Sequence, residues 1–168
     1  MNHYAKGNSM PNNNSLASQG ERIVKNHMLA SLAVGLVPIP FADLAALTGI
    51  QIKMLRDLAK LYRVEFHEER SRSVIASLIG GGVPVSLAFN FGSFAKFISP
   101  AHGLIVGAFG TSLFGGASTY AMGKVFIQHF ESGRTLLEFD PAKVRDYYAE
   151  QLKNGQTEVR KTFSGTKP

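Results

Sequence analysis

The sequence predicts an all-α fold of helical hairpins, with a central glycine-rich hydrophobic hairpin that inserts in a membrane. Three observations lead there. Between Ser73 and Gly123 the chain carries one formal charge, Lys96, although charged residues make up 18% of the whole, so about nine would be expected in that stretch. On both sides of it apolar residues recur at helical spacing, and no run alternates as a half-buried strand would. Proline and glycine punctuation falls between the periodic segments.

Composition sets outer bounds. At 168 residues the chain has room for one domain with polar ends. Residues 1–20 are rich in Asn, Ser and Gly and lack the apolar run of a secretory signal, so they read as a disordered leader. Residues 21–153 read as one helical domain, with the hydrophobic hairpin at 73–123. Residues 154–168 read as a polar basic tail. Cysteine is absent, which excludes disulfides, thiolate zinc sites and a cysteine nucleophile. The net charge of +6 comes from bases interleaved with acids on both flanks, which argues against a dense phosphate-binding patch and against nucleic acid.

The first helix is expected from Glu21 to Val37, ending at Pro38-Ile39-Pro40. Two prolines one residue apart remove donors and force an extended link. The second helix runs from Ala42 to Tyr62, with Asp43 in its first turn, where a carboxylate suits the helix dipole. Leu44, Leu47, Met54, Leu58 and Leu61 form its apolar face; Lys53, Arg56, Lys60 and Arg63 form a basic stripe on another. The third helix opens at His67-Glu68-Glu69, and its uncharged run Val74–Ala95 would span about 33 Å, close to a hydrocarbon core. Gly80-Gly81-Gly82 and Pro84 should kink it. After a turn at Lys96–Pro100, a fourth helix runs to the Ser132-Gly133 cap. Leu136–Phe139 reads as a short extended linker. The last helix has Asp140 as N-cap and Pro141 as first residue, with Gly155 stopping it.

Two environments could shield the uncharged stretch: a bilayer or the protein's own core. Gly103, Gly107, Gly110, Gly115, Gly116 and Gly123 weigh toward lipid. Glycines in a helix cost about 1 kcal/mol each in water, whereas small residues let helices approach closely where lipid surrounds them. Gly103 and Gly107 form a GxxxG pair. Thr111, Ser112, Ser118 and Thr119 need partners, so such a helix should insert with its neighbour. Bases outnumber the single Lys96 of the turn on the flanks, which places both termini in the cytoplasm.

Little points to a reaction. Ser118–Lys124 resembles a phosphate loop but has Ser where the first Gly belongs and Val125 where Ser or Thr is required. No histidine pair has helical metal-site spacing. No cofactor is expected and no residue set offers a nucleophile with a base, so the chain reads as non-enzymatic. Asp43 is the lone acid between His27 and Gln51. It is a helix-start carboxylate, a buried partner for a base on a neighbouring element, or a proton-handling group if membrane-embedded. The basic stripe is a solvated face, a contact for anionic headgroups, or a dock for an acidic protein.

The words Gly35-Leu-Val-Pro-Ile-Pro-Phe-Ala-Asp-Leu-Ala-Ala-Leu-Thr-Gly49, Gln51-Ile-Lys-Met-Leu55, Leu58-Ala-Lys-Leu-Tyr62, Gly116-Ala-Ser-Thr-Tyr-Ala-Met-Gly123 and Phe130-Glu-Ser-Gly133 resemble the bacterial family called domain of unknown function 697. That family includes YcjF-like membrane proteins and is often fused to, or encoded beside, small GTPases. The resemblance spans Glu21 to Glu150 and implies a lipid bilayer partner, the bacterial cytoplasmic (inner) membrane, with both termini on its cytoplasmic side. It carries over no catalytic residues. This chain holds no GTPase domain, so a GTPase partner would act in trans. The candidate positions are Pro38, Pro40, Asp43, Gly103, Gly107 and Gly116 for structure or function, and Lys53, Arg56, Lys60 and Arg63 for headgroup or partner contact. The expected role is an anchor or partner module for a small GTPase. The alternatives are a soluble interaction bundle, or a pore-like homo-oligomer of hairpins packed through small residues.

Overall fold

The computed structural model describes residues 13–36, 42–82 and 100–165; within them the surroundings of side chains 13–14, 42–44, 81–82, 100–109 and 111 stand outside the description. Among the described residues lie five α-helices, a 3-10 turn and no strand. The elements are α1 (Asn13–Gly35), α2 (Ala42–Leu61), α3 (Glu68–Gly82), α4 (Pro100–Glu131), η1 (Leu136–Glu138) and α5 (Arg145–Phe163). The all-helical expectation holds.

The long α4 organises the rest. Along α1 and α4, bulky residues of one helix meet glycines of the other. Gly20 faces Ile127, Val24 faces Gly123, Leu32 faces Gly116, and Gly35 lies on the Ser112 backbone. One series rises as the other falls, so the two helices run antiparallel. The same device recurs between α5 and α4, where a Cβ on Gly155 would sit 2.8 Å from the Ala117 carbonyl oxygen. Glycine removes the side chain that would hold two helix backbones apart.

The core gathers below this seam. Phe126 of α4 stacks on Phe139 at a centroid distance of 4.5 Å. Met54, Leu55 and Leu58 of α2, Val74, Ile75 and Leu78 of α3, and Tyr148 and Leu152 of α5 complete it. Half-buried Arg70 crosses from α3 to donate to the Phe139 carbonyl at 2.8 Å and the Leu136 carbonyl at 3.5 Å. These contacts define a base, where α2 ends and α3 begins. There Tyr62 donates to Glu131 at the end of α4, at 3.0 Å. The opposite end, the top, holds the C-terminus of α1, the N-terminus of α2 and the N-terminal part of α4. From Ser112 to Pro100 α4 continues for about 18 Å beyond its contact with Gly35.

Several expectations need correction. The first helix starts at Asn13, not Glu21, because residues 15–20 already pack, with Gly20 buried against Ile127. Gly155 does not end the last helix, which continues to Phe163, so most of the expected tail is folded. The glycine is there for its close approach to Ala117, which propensity alone cannot reveal. Asp140 is not the helix N-cap either. Its carboxylate accepts from the Ala142 amide at 3.0 Å in a preceding turn, and the helix begins at Arg145. Leu136–Glu138 is a 3-10 turn rather than an extended link, closed by Glu138, which accepts from the Thr135 amide at 2.8 Å.

The uncharged stretch divides. Among the described residues no helix is long and apolar enough to cross a membrane. Residues 83–99, the middle of the expected hairpin, lie outside the described residues. The flanks are covered by protein: Ala117, Ser118, Thr119, Ala121 and Met122 are fully buried, and so nearly are Val74, Ile75 and Leu78. α1, α2 and α5 shield the end of the stretch that was expected to rely on lipid, because its small residues admit their backbones closely.

Candidate functional site

The basic stripe of α2 is not uniform. Lys53 donates to Asp57 at 2.7 Å. Arg56 donates to Glu68 at 2.9 Å and lies 4.9 Å from the centre of the Phe66 ring. Arg72 also donates to Glu68, and that hydrogen bond, with the charges of Arg72 and Arg56, holds the Glu68 carboxyl below its ordinary range. Lys60 and Arg63 are exposed and form no ion pair among the described residues. Arg63 has a left-handed backbone, φ 58°. Its amide bonds to the Lys60 carbonyl at 3.3 Å and the Val64 amide to the Ala59 carbonyl at 2.8 Å. This is the helix stop that usually employs glycine.

Higher on the molecule the exposed faces change character. On α1 the exposed residues go from Arg22 and Lys25 to Leu29, Ala33 and Leu36. On α2 the bases at 53, 56 and 60 give way, toward the top, to exposed Ala45, Ala46 and Gly49. On α3 exposed Arg72 is followed by Ala76, Ser77 and Gly80. A soluble surface ordinarily mixes about a quarter to a third charged residues throughout. Here the described exposed positions of the three helices form an uncharged upper zone above a band of bases, with Asp43, whose surroundings lie outside the description, the one acid in the first turn of α2. α5 differs, keeping exposed Lys153, Arg160 and Lys161 along its length.

Between α1 and α5 a groove of about 720 Å³ opens, with Met28, Leu29 and Tyr120 beside Glu21, Arg22, Lys25, Glu158 and Lys161. Its acids are engaged: Glu21 accepts from Lys124, and Glu158 accepts from Lys161 at 2.7 Å. Burial disfavours the Lys124 charge, but the Glu21 hydrogen bond and charge outweigh it and raise the ammonium's pKa. The grouping of Arg22, Lys25 and Lys161 was not legible in the sequence, where bases associate by spacing within one helix and nothing pairs α1 with α5.

A buried polar seam joins α1, α2 and α4. Ser31 and Thr119 share a hydrogen bond at 2.8 Å, and Gln51 donates to Ser118 at 3.2 Å and Thr119 at 3.3 Å. Ser112 donates to the Leu32 carbonyl at 2.7 Å. Ser112, Ser118 and Thr119, three of the hydroxyls expected to need partners in lipid, thus find them within the protein, while the surroundings of Thr111 lie outside the description. Gln51 Oε1 alone in this seam is buried without one. Gly116 serves the α1–α4 contact, since a Cβ there would come 2.5 Å from Leu32 and 3.0 Å from Val159. The structure does not gather the remaining candidates into a site: Pro38 and Pro40 lie outside the described residues, as do the surroundings of Asp43 in α2 and of Gly103 and Gly107 in α4.

The arrangement defines an all-helical domain whose one end presents uncharged helix faces over a basic band. Residues 12–157 match the domain of unknown function DUF697, and the chain belongs to that family. It is 35% identical over 136 residues to magnetosome membrane protein 22 of Magnetospirillum gryphiswaldense, a match covering 81% of this chain and 70% of that protein. No solved structure matches the chain.

Proposed function

We propose that this protein is a non-enzymatic, membrane-associated helical module that anchors or presents a small GTPase acting in trans. The observation that carries the reading is the run of uncharged exposed positions shared by the upper parts of α1, α2 and α3 among the described residues, at the end where α4 extends past its partners. From that end the chain leads into residues 83–99, whose only formal charge is Lys96. A relative named as a membrane protein supports the same reading. Bases on the flanks favour the inner membrane with both termini in the cytoplasm. The GTPase role is implied by the family resemblance, and the exposed Lys60 and Arg63 near the base are the contact we assign to it.

Carbonate washing of membranes tests the anchor: the protein should stay in the pellet, and recovery in the supernatant would refute it. Single cysteines at positions 98 and 160 of this thiol-free chain test the topology. The first should resist a membrane-impermeant reagent added from the cytoplasmic side, and the second should react. A second reading, a soluble interaction bundle, draws on the burial of Ala117, Ser118, Thr119, Ala121 and Met122 within protein. It predicts a monodisperse species without detergent. Assembly of several hairpins into a homo-oligomer through Gly103 and Gly107 predicts ion leakage from reconstituted vesicles.

A further inference from the structure

We propose that the folded end of the bundle itself, and not only the hydrophobic segment beyond it, is immersed in an anionic bilayer down to the level of Leu29 on α1 and Gly49 on α2. The inference rests on the membrane reading above and adds depth and orientation to it. Among the described residues Leu29 and Leu36 are two of the few large hydrophobic side chains left exposed, at 38% and 42%. Leu29 shares a face of α1 with exposed Ala33, and Leu36 follows in the turn directly after Gly35. The rise from Leu29 to Leu36 is about 10 Å, the depth at which apolar helix faces rest below headgroups. On α2 and α3 the described exposed residues in the same zone are small and uncharged, and Asp43, in the first turn of α2, is the one acid that immersion would carry with them.

The bases mark the waterline. Arg22 and Lys25 stand one to two turns before Leu29, Lys53 one turn after Gly49, and Arg72 one turn before Ala76. Long basic side chains reach up to phosphates while their stems lie on apolar surface. Asp57 and Glu68, the acids facing Lys53 and Arg72, sit on the side of the bases away from the top. The charge order therefore complements an anionic headgroup layer: uncharged zone, bases, then acids. α5 tilts the picture. Its exposed Lys153, Arg160 and Lys161 leave no uncharged face to immerse, so that side lies along the headgroups in water.

The test uses the full chain in vesicles containing phosphatidylglycerol. Single-cysteine variants Ala33→Cys, Ala45→Cys and Ala76→Cys carry an environment-sensitive fluorophore, with Lys60→Cys, Lys153→Cys and, inside the uncharged run Val74–Ala95, Ala88→Cys as references. Labels at 33, 45 and 76 should shift to the blue and be quenched by nitroxide lipids, while those at 60 and 153 report water. Water-exposed labels at 33 and 45, with a lipid-quenched label at 88, would overturn this inference and leave the membrane reading standing. A water-exposed label at 88 as well would remove both. Disulfide formation between Ala33→Cys protomers without lipid quenching would assign the face to a second copy and overturn the inference. Replacing phosphatidylglycerol by phosphatidylcholine should reduce the quenching at 33 and 45; an unchanged signal would strike out the role given to the bases.

Discussion

Glycine has opposite effects at different places in this chain. A methyl added at Gly80 or Gly49 would meet nothing within 4 Å, whereas at Gly155 a Cβ would meet rigid backbone at 2.8 Å. Gly80→Ala should therefore stabilise the fold by about 0.5–1 kcal/mol through helix propensity. Gly155→Ala should cost about 1–3 kcal/mol through overpacking, despite the same gain in propensity. Urea denaturation of the pair reads both signs. Arg63 shows the converse. It occupies a left-handed position that costs a side-chain-bearing residue about 1–2 kcal/mol, so Arg63→Gly should raise stability. A drop in melting temperature would mean that the arginine side chain holds the turn by contacts stronger than that strain. If Arg63 also meets the GTPase, the stabilised variant should bind it less well, measured by pull-down.

Between helices, the decisive contacts are polar as well as close. Lys124 of α4 reaches Glu21 of α1 from a half-buried position, and its pKa is raised above the ordinary 10.5. A raised folded-state pKa means the contribution is complete below the unfolded value and is lost as pH climbs through the folded one. The melting temperature of the native chain should thus exceed that of Glu21→Gln at pH 8, and the gap should close as pH rises through the raised value of Lys124. A gap independent of pH would assign the difference to packing. Glu138 works in the other direction. Hydrogen bonds from the Thr135 amide and hydroxyl hold its carboxyl below the ordinary range, so its contribution is present above that range and is lost as pH falls through the folded value. The Gln51 seam is tolerant by this logic. Ser118 also bonds the Gly115 carbonyl at 3.1 Å, and Thr119 keeps Ser31. Gln51→Leu should then change stability by no more than about 1 kcal/mol, since it also removes an orphaned oxygen.

For the molecule as a whole, the reading proposed above puts folding and membrane attachment on different residues. Among the described residues the main core joins side chains of all five helices. Replacing 83–99 by a flexible Gly/Ser linker of equal length should leave a cooperatively melting helical protein by circular dichroism. The same replacement should abolish carbonate-resistant attachment. Loss of helical signal would show that the segment is needed for the fold. Much of this architecture was legible beforehand. α2 matched to within a residue, α3 opened at Glu68 as its paired acids indicated, and α4 ran from Pro100 to the Gly133 stop. The errors cluster where a local signal had a distant cause. Gly155 looked like a stop, Asp140-Pro141 like a helix start, and residues 13–20 like a leader too polar to fold.

The order of residues along the chain sufficed for the helical class, the limits of the central elements and the confinement of charge to the flanks. Those properties follow from periodicity, capping chemistry and composition, which act over a few neighbouring residues. It could not say which uncharged residues protein would cover and which it would leave bare, because that depends on pairing α1 with α4 across about a hundred positions. Only the packed helices put Gly116 under Leu32, gave Ser112 the Leu32 carbonyl, and left Leu29 and Leu36 outside. Close approach of two backbones is a property of the pair, and neither helix carries it alone.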